Sequence, residues 1–219
     1  MSCTSKSGDA SFDGNLEDET KRLSYAVGME VGGSLKGMGA EIDIAAFSAG
    51  AASVLEGSEP LLSDQEANEV KRTVFSRLQQ ERAQEMKSAS ADNVKDAGAF
   101  FEKNAKRDGV TTTASGLQYE VLRKGTGKQP SADARVRVHY RGTLLDGTEF
   151  DNSHSRGEPA VFGVNQVIKG WSEGLQLMRV GGKYKLFVPA DLAYGERAMG
   201  DKITPNSALI FEVELLGIE

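Results

Sequence analysis

Cysteine and histidine are scarce in this sequence, which contains one cysteine and two histidines. An internal disulfide framework needs at least two cysteines, and a metal site needs clustered thiolate or imidazole ligands. Neither is therefore expected, and no metal ligand is assigned. Basic residues are also too few for a broad positive surface, since 26 Lys and Arg stand against 32 Asp and Glu and give a formal net charge of −6. Nucleic acid is consequently not a predicted partner.

Proline and long apolar runs are rare as well. The sequence has 5 prolines, 39% hydrophobic residues and 26% charged residues, which is typical of globular proteins rather than of disordered or collagen-like chains. No apolar run reaches the roughly 18 residues that a transmembrane helix requires. The 219 residues are enough for two small domains of roughly 100 residues each.

The composition changes near Gly109. Residues 1–109 hold 15 alanines and one proline, whereas residues 110–219 hold 8 alanines and four prolines. Alanine favours helix and proline marks turns. The sequence therefore predicts an α+β protein with an all-helical domain at 16–109 and a sheet-rich domain at 110–219. Residues 1–15 are small and polar, and they are predicted to form a flexible tether.

Apolar spacing and capping residues predict two short helices in the first half. The first helix is predicted from about residue 17 to residue 38, because apolar side chains recur there at helical spacing. These side chains are Leu23, Val27, Val31 and Leu35. Asp43 can cap a second helix, whose apolar face would include Ile44 and Phe47.

A capping box predicts the start of a third, much longer helix. Ser63 and Glu66 have the spacing of this motif, and no proline interrupts the helical pattern that follows, up to residue 106. Residues 79–96 are polar enough to suit a helix surrounded by water. The segment 63–106 is therefore predicted to be a stalk, with Gly98 as its weakest point.

The short helices supply too few apolar residues for a core of their own. We therefore predict a homodimer through residues 16–78, whose stalks carry the two second halves. Pairs of glycines four residues apart, Gly28 with Gly32 and Gly33 with Gly37, would let a partner helix approach closely. A loop-like helix end is the alternative interpretation of these glycines. A coiled coil is the alternative for the dimer, although the heptad pattern is not sustained past Leu78.

The second half has the period of β-strands. Apolar residues alternate with polar ones over 117–121, 136–140, 184–188 and 209–215, which predicts half-buried strands. The Asp146-Gly147 turn should lead to a short strand that ends at Phe150. One helix is expected from about residue 170 to residue 177. Together these elements predict a twisted antiparallel sheet wrapped around one short helix.

Six ordered sequence blocks in residues 115–219 resemble the FKBP-type peptidyl-prolyl cis-trans isomerase, or rotamase, domain. The blocks are Val138–Gly142, Asp146–Asp151, Val167–Trp171, Val188-Pro189, Ala193–Gly195 and Leu209–Leu215. The helical half is similar to the dimeric subgroup that includes the macrophage infectivity potentiator and related periplasmic isomerases. The two resemblances cover nearly the whole chain.

The resemblance implies a substrate pocket with Trp171 as the floor under the proline ring. The walls that it implies are Tyr140, Phe150, Phe162, Val167, Ile168 and Phe211, with Ile203 at the rim. The backbone N–H of Ile168 and the hydroxyl of Tyr194 would hold substrate carbonyls. Asp151 would lie close to the twisting amide, with Arg156 orienting its carboxylate. Without the resemblance, each aromatic residue could be a core residue, and Asp151 could cap a turn at Asn152-Ser153.

Three positions depart from the family's usual pattern. Ala160 stands where an aromatic wall is common and is expected to widen the pocket. Met199 stands where a histidine is common, and Lys202 stands where an apolar rim residue is usual. The resemblance therefore predicts the type of reaction more firmly than it predicts substrate preference or inhibitor affinity. His139 and His154 are expected to face solvent and to have no general-base role, because the reaction transfers no proton.

The resemblance further implies isomerisation of X–Pro bonds in unfolded or partly folded proteins, together with chaperone activity. It implies no cofactor, and it implies binding of macrolides such as FK506 and rapamycin. A binding module that grips proline-containing segments without significant turnover is the rival hypothesis. Cys3 and the polar residues after it resemble the start of a mature bacterial lipoprotein. Together with this, the resemblance to the periplasmic dimers implies a location in the periplasm or outer membrane. An ordinary exposed thiol is the alternative for Cys3.

Overall fold

The computed structural model describes Phe12 and residues 14–219. Most of the predicted tether, including Cys3, lies outside the described residues. The described residues divide into two compact units, one that ends at Glu81 and one that spans residues 82–219. The boundary between these units lies within the third helix, and each unit is described separately below.

Four α-helices are present in the described residues. They are α1 (Glu19–Met38), α2 (Ile44–Glu56), α3 (Asp64–Asn104) and α4 (Lys169–Leu177). Asp18 accepts a hydrogen bond from the Lys21 N–H at 3.0 Å and Asp43 accepts one from the Ala46 N–H at 2.8 Å, so both carboxylates cap helix N-termini. The first helix thus begins two residues later than expected, because Asp18 is its cap.

The start of α3 follows the predicted capping box. The Ser63 N–H donates to Glu66 Oε2 at 2.9 Å, and the Glu66 N–H donates to Ser63 Oγ at 3.3 Å. The helix continues through Gly98 and ends at Asn104, two residues before the expected end. The expectation that residues 79–96 are surrounded by water is wrong at Ser90 and Asn93, which hydrogen-bond to residues 204–207.

The second unit contains one antiparallel sheet of seven strands. The strands are β1 (Val110–Thr112), β2 (Gln118–Arg123), β3 (Arg135–Leu144), β4 (Glu149–Asn152), β5 (Ala160–Gly163), β6 (Lys183–Val188) and β7 (Leu209–Ile218). The main order is β1-β2-β6-β7-β3-β4, and β5 also pairs with β3. β1 and β5 were not predicted. The predicted short strand does not end at Phe150 but runs on to Asn152, which places Asp151 opposite Gly142.

The hydrophobic core lies between this sheet and α4. Alternate side chains of β3 and β7 are buried, as the period of two predicts. An added Cβ at Gly170 would lie 2.5 Å from Val188 Cγ1, and one at Gly174 would lie 2.7 Å from Leu186 Cδ1. Because only glycine permits this approach, α4 lies directly on β6 and presents Trp171 to the middle of the sheet.

The helices of the first unit bury no side chain. Neither α1 nor α2 contains a buried residue, although both carry the predicted apolar side chains. Large apolar side chains that are exposed include Leu23, Val27, Met29, Ile44, Phe47 and Leu55. A single copy of these helices therefore leaves its apolar residues in contact with water.

Candidate active site

A cavity of about 300 Å³ opens above Trp171 in the second unit. Strands β3, β4, β5 and β7 contribute one wall, and the segment before α4 contributes another. The lining residues are Tyr140, Phe150, Asp151, Phe162, Gln166, Val167, Ile168, Trp171, Tyr194 and Phe211. This volume suits a small ring and its flanking groups.

Aromatic rings surround the indole of Trp171 edge-on. The ring centroids of Tyr140, Phe162 and Phe211 lie 5.1, 5.6 and 5.2 Å from that of Trp171, at interplanar angles of 82° to 89°. This geometry is favourable for aromatic pairs and fixes their orientation. The indole is 4% exposed, so the floor of the cavity is rigid and apolar.

The indole N–H is the one polar side-chain group of the described residues that is buried without a hydrogen-bond partner. A buried N–H without an acceptor costs free energy, typically about 1–3 kcal/mol. Trp171 lines the cavity, but its indole nitrogen is itself buried, so this N–H is not an open donor of the cavity.

Asp151 is held at the cavity wall by two donors. The hydroxyl of Tyr140 donates to one carboxylate oxygen and the guanidinium of Arg156 donates to the other. Arg156 also donates to the Tyr140 hydroxyl at 2.9 Å, which closes the network. Burial raises the pKa of Asp151, but these hydrogen bonds outweigh burial and hold the pKa below its usual value. Asp151 is therefore a fixed negative charge at neutral pH.

The backbone places these groups through a buried serine. Ser153 directly follows β4, is fully buried, and accepts a hydrogen bond from the Tyr140 N–H at 2.8 Å. The Ser153 N–H in turn donates to the Tyr140 carbonyl at 3.0 Å. These bonds tie the end of β4 to β3 beside the Tyr140–Asp151 pair.

Two further donors face the cavity. No hydrogen-bond partner is found among the described residues for the Tyr194 hydroxyl or for the Ile168 N–H, which precedes α4. Burial, followed by the negative charge of Asp151, raises the pKa of Tyr194. The hydroxyl therefore stays protonated at neutral pH and can donate to a carbonyl oxygen.

The structure places some expected residues outside the cavity lining. Arg156 contacts it only through Asp151 and Tyr140. Ile203 is 6% exposed and packs in the hydrophobic core. Ala160 packs against the same core and does not line the cavity. Lys202 donates from Nζ to the Glu149 carbonyl at 2.7 Å.

Sequence reasoning missed two features of the site. Gln166 lines the cavity from a short 3₁₀ turn at Val164–Gln166, and no motif marks it. Tyr140 was expected only as a wall, yet its hydroxyl also binds Asp151. The sequence carries no signal for that bond because the two residues belong to different strands.

Both histidines were expected to face solvent, but only one of them does. His154 is exposed, but the ring of His139 is half-buried and stacks on it with centroids 4.3 Å apart. His139 Nδ1 also lies 3.0 Å from Ser153 Oγ. Neither histidine lines the cavity. Within residues 14–219 and Phe12, no three His, Cys, Asp or Glu side chains converge as metal ligands, and no helix there combines the length and apolarity needed to cross a membrane.

Comparisons with known proteins agree with this geometry. The sequence model of the FKBP-type peptidyl-prolyl cis-trans isomerase family matches residues 126–216, and that of the domain amino-terminal to such isomerases matches residues 20–121. The chain belongs to the FKBP-type peptidyl-prolyl cis-trans isomerase family. The resemblance drawn from the sequence blocks is thereby confirmed, as are the fold class and the class of enzyme.

Curated relatives of this isomerase come from several bacteria. A probable FKBP-type isomerase FkpA of Neisseria meningitidis is 46% identical, and the match covers 90% of this chain and 74% of that protein. The 22 kDa FKBP-type isomerase of Escherichia coli is also 46% identical, with 90% and 94% covered. The outer membrane protein MIP of Legionella longbeachae is 37% identical, with 94% and 88% covered.

A solved structure extends the likeness to the whole fold. The crystal structure of FkpA from Escherichia coli matches with a TM-score of 0.66 at 36% identity, and the match covers 94% of this chain and 99% of that chain. The isomerase therefore shares its helical region as well as its sheet with a solved relative.

Proposed function

We propose that this isomerase accelerates rotation about X–Pro bonds in unfolded or partly folded proteins, using the cavity above Trp171. The observation that carries the proposal is an aromatic cavity with two donors that have no partner in the described chain: the Tyr194 hydroxyl and the Ile168 N–H. A proline ring fits the aromatic floor, and the carbonyls beside it can accept from these donors.

The reaction that we propose breaks no covalent bond. Resonance holds the amide planar with a barrier of about 18–20 kcal/mol, and twisting it reduces the charge separation between nitrogen and oxygen. The twisted amide is therefore less polar than the planar one. A pocket walled by Tyr140, Phe162 and Phe211 withholds the water that stabilises the planar form. A thousandfold acceleration requires only about 4 kcal/mol.

Polar groups at the rim would then hold the chain in its twisted shape. The Ile168 N–H can bind the carbonyl on one side of the rotating bond, and the Tyr194 hydroxyl can bind the carbonyl on the other side. The carboxylate of Asp151, held by Tyr140 and Arg156, lies at the wall where the amide would rotate. Positioning of this kind favours the transition state only if its geometry is fixed beforehand.

A protease-coupled proline-isomerisation assay tests the proposal. We expect Asp151→Leu and Tyr194→Phe to lower kcat/KM roughly tenfold each, as loss of one hydrogen bond or charge at the substrate implies. The matched controls are Asp191→Leu and Tyr119→Phe, which change the same residue types outside the cavity. A fully active Asp151→Leu, Tyr194→Phe double variant would show that the polar roles are wrong, and an inactive unmodified chain would leave only binding.

We also infer that the isomerase is a homodimer through residues 16–78, with chaperone activity toward its clients. The exposed apolar side chains of α1 and α2 support this inference, because such a surface in water is typical of an interface. Two sheet units in one assembly would offer two cavities to the same unfolded client. The match of residues 20–121 to a family-specific amino-terminal domain favours the same conclusion.

Light scattering tests the dimer directly. We expect twice the chain mass for the unmodified protein and the mass of one chain for Phe47→Asp, which places a charge among apolar side chains. Gln84→Asp introduces the same carboxylate at an exposed polar position of α3 outside residues 16–78 and serves as the control. A Phe47→Asp protein that keeps the dimer mass would contradict the assigned interface.

Ligand and location follow from the same proposal. Macrolides such as FK506 are expected to compete with substrate for the cavity, which a titration of isomerase activity measures. The Legionella longbeachae relative is named an outer membrane protein, and this supports a periplasmic or outer-membrane location. Cys3 as a lipid attachment site is tested by labelled-palmitate incorporation in the unmodified chain and in Cys3→Ser.

A further inference from the structure

One loop of the second unit connects a wall of the cavity to the long helix. This segment, the 194–207 loop, begins at Tyr194, which lines the cavity, and ends just before β7. Ile203 lies within it, is 6% exposed and packs in the hydrophobic core with Trp171. The position of this loop therefore sets the position of the Tyr194 hydroxyl.

Asn93 of α3 binds the end of the loop. Its Nδ2 donates to Thr204 Oγ1 at 2.8 Å, to the Pro205 carbonyl at 2.8 Å and to Ser207 Oγ at 3.2 Å. A carboxamide has only two N–H groups, so the three acceptors share two hydrogens. One half-buried side chain of α3 thus binds three acceptor groups at the loop terminus, all within residues 204–207.

Asn206 strengthens the same connection. Among the described residues it is the one non-glycine residue with positive φ, at 59°, a conformation that L-residues other than glycine rarely adopt. Its side chain donates to Ser90 Oγ of α3 at 2.8 Å, and its backbone N–H donates to the Gly195 carbonyl at 2.7 Å. Gly195 directly follows Tyr194, so the contact with α3 lies one hydrogen bond away from the cavity wall.

The opposite side of the loop is fixed independently. Lys202 donates to the Glu149 carbonyl at 2.7 Å, next to Phe150 of β4. The packing of Ile203 and the bond from the Asn206 N–H to the Gly195 carbonyl hold the loop from within. The bonds from Asn93 and to Ser90 supply the second anchor.

We propose that Asn93, together with Ser90, is a positioning residue for the isomerase reaction, acting through the 194–207 loop on Tyr194. The inference rests on the proposed function of the cavity. Both residues belong to the long helix and lie outside residues 126–216, which match the catalytic family model. The long helix is then part of the machinery that arranges the site, and a fragment beginning at residue 110 lacks this anchor.

Loss of these bonds should loosen the loop without unfolding the sheet. A cavity of about 150 Å³ lies beside Asn93 and Ser207, so water can reach the acceptors that a substitution leaves free. The hydrophobic core beneath the loop remains intact. What changes is the precision with which the Tyr194 hydroxyl is held, and rates are sensitive to such misplacement.

The experiment measures kcat/KM of the full chain carrying Asn93→Leu or Asn206→Gly. Asn93→Leu keeps the side-chain volume and removes both donors, whereas Asn206→Gly keeps the positive φ and removes the bond to Ser90. We expect kcat/KM to fall about fivefold for Asn93→Leu, as loss of one to two hydrogen bonds implies, and less for Asn206→Gly. Asp92→Ala, an exposed neighbour on the same helix, should match the unmodified chain.

Amide hydrogen exchange separates positioning from simple destabilisation. Faster exchange confined to the 194–207 loop, with β6 and β7 still protected and kcat/KM reduced, supports the proposal. Unchanged kcat/KM overturns it, and so does a loss of protection that extends equally through β6 and β7. If the unmodified chain is inactive, the proposed function fails, while the exchange data still decide whether Asn93 holds the loop.

Discussion

The sheet unit buries large apolar side chains, whereas the helices α1 and α2 bury none. In the sheet unit, side chains such as Leu186 and Val213 are 0% exposed. In α1 and α2, apolar residues recur just as clearly at helical spacing, yet no residue is buried. An amphipathic pattern therefore indicates that a face will be covered, but not by what. The sheet unit completes its core within one chain, and we propose that α1 and α2 complete theirs with another copy of the chain.

The largest expected effect compares Leu186→Ala with Leu23→Ala. Leu186 is fully buried on β6, so its truncation should lower the free energy of unfolding of the sheet unit by about 2–5 kcal/mol at any protein concentration. Leu23 is 65% exposed and should act only through dimer association, so its effect should shrink as concentration rises. Urea unfolding followed by the fluorescence of the only tryptophan, Trp171, and by far-ultraviolet dichroism distinguishes the two regions.

Two results would contradict this contrast between the sheet unit and the helices α1 and α2. If Leu23→Ala shifts the Trp171 transition as much as Leu186→Ala does, the two regions do not unfold independently. If Leu23→Ala has the same effect at all concentrations, no partner chain covers that face.

Local signals in the sequence predicted the helices well. The caps at Asp43 and Ser63 depend on side chains within three residues, so they can be read without tertiary information. β1 and β5 were missed because segments of three and four residues are too short to show a period. The extension of β4 to Asn152 depends on pairing with Arg141, which is a matter of register and not of pattern.

The site shows the same division. Trp171, Phe150 and Phe211 stand in contiguous sequence blocks, and the structure brings them to one cavity. Gln166 and the Tyr140–Asp151 bond were missed because they arise where separate segments meet. The bonds of Asn93 join residues that are 111 to 114 positions apart, and no sequence window of ordinary length can register them.

A smaller effect, about 1 kcal/mol, is expected from Gly32→Ala. A Cβ at Gly32 would meet nothing within 4 Å in one copy of the chain, and alanine favours helix by about 1 kcal/mol. Gly98 of α3 is equally open, so Gly98→Ala should raise the free energy of unfolding. We expect Gly32→Ala instead to weaken dimerisation about tenfold, because the added methyl group would obstruct the partner helix. Sedimentation equilibrium measures the dissociation constant.

Stabilisation by Gly32→Ala, equal to that by Gly98→Ala, would contradict close approach at this glycine. The helix would then be covered elsewhere along its apolar face. The predicted role of the glycine pairs would have to be abandoned, while the dimer itself would still be tested by Phe47→Asp.

The smallest expected effect is the response of each region to acid. Hydrogen bonds from Ser63 lower the pKa of Glu66 in the helical unit. In the sheet unit, burial raises the pKa of Asp151, but the bonds from Tyr140 and Arg156 lower it further than burial raises it. A carboxyl group with a lower pKa in the folded state stabilises the fold above its unfolded pKa, about 3.9 for Asp and about 4.3 for Glu. That stability is lost as the pH falls through the folded pKa.

Neutral variants should therefore flatten the acid dependence of one region at a time. With Asp151→Asn, the stability of the sheet unit, followed by Trp171 fluorescence, should fall less steeply below about pH 4. With Glu66→Gln, only the stability of the helical unit should fall less steeply, below about pH 4.5. Both effects should be modest, because the side chain of Asp151 is 39% exposed and solvent screens exposed pairs. Unfolding midpoints measured from pH 3 to pH 7 check the assignment. If Asp151→Asn flattened the helical transition instead, the two regions would share the linkage, and the contrast between a self-sufficient sheet unit and a partner-dependent helical unit would fail.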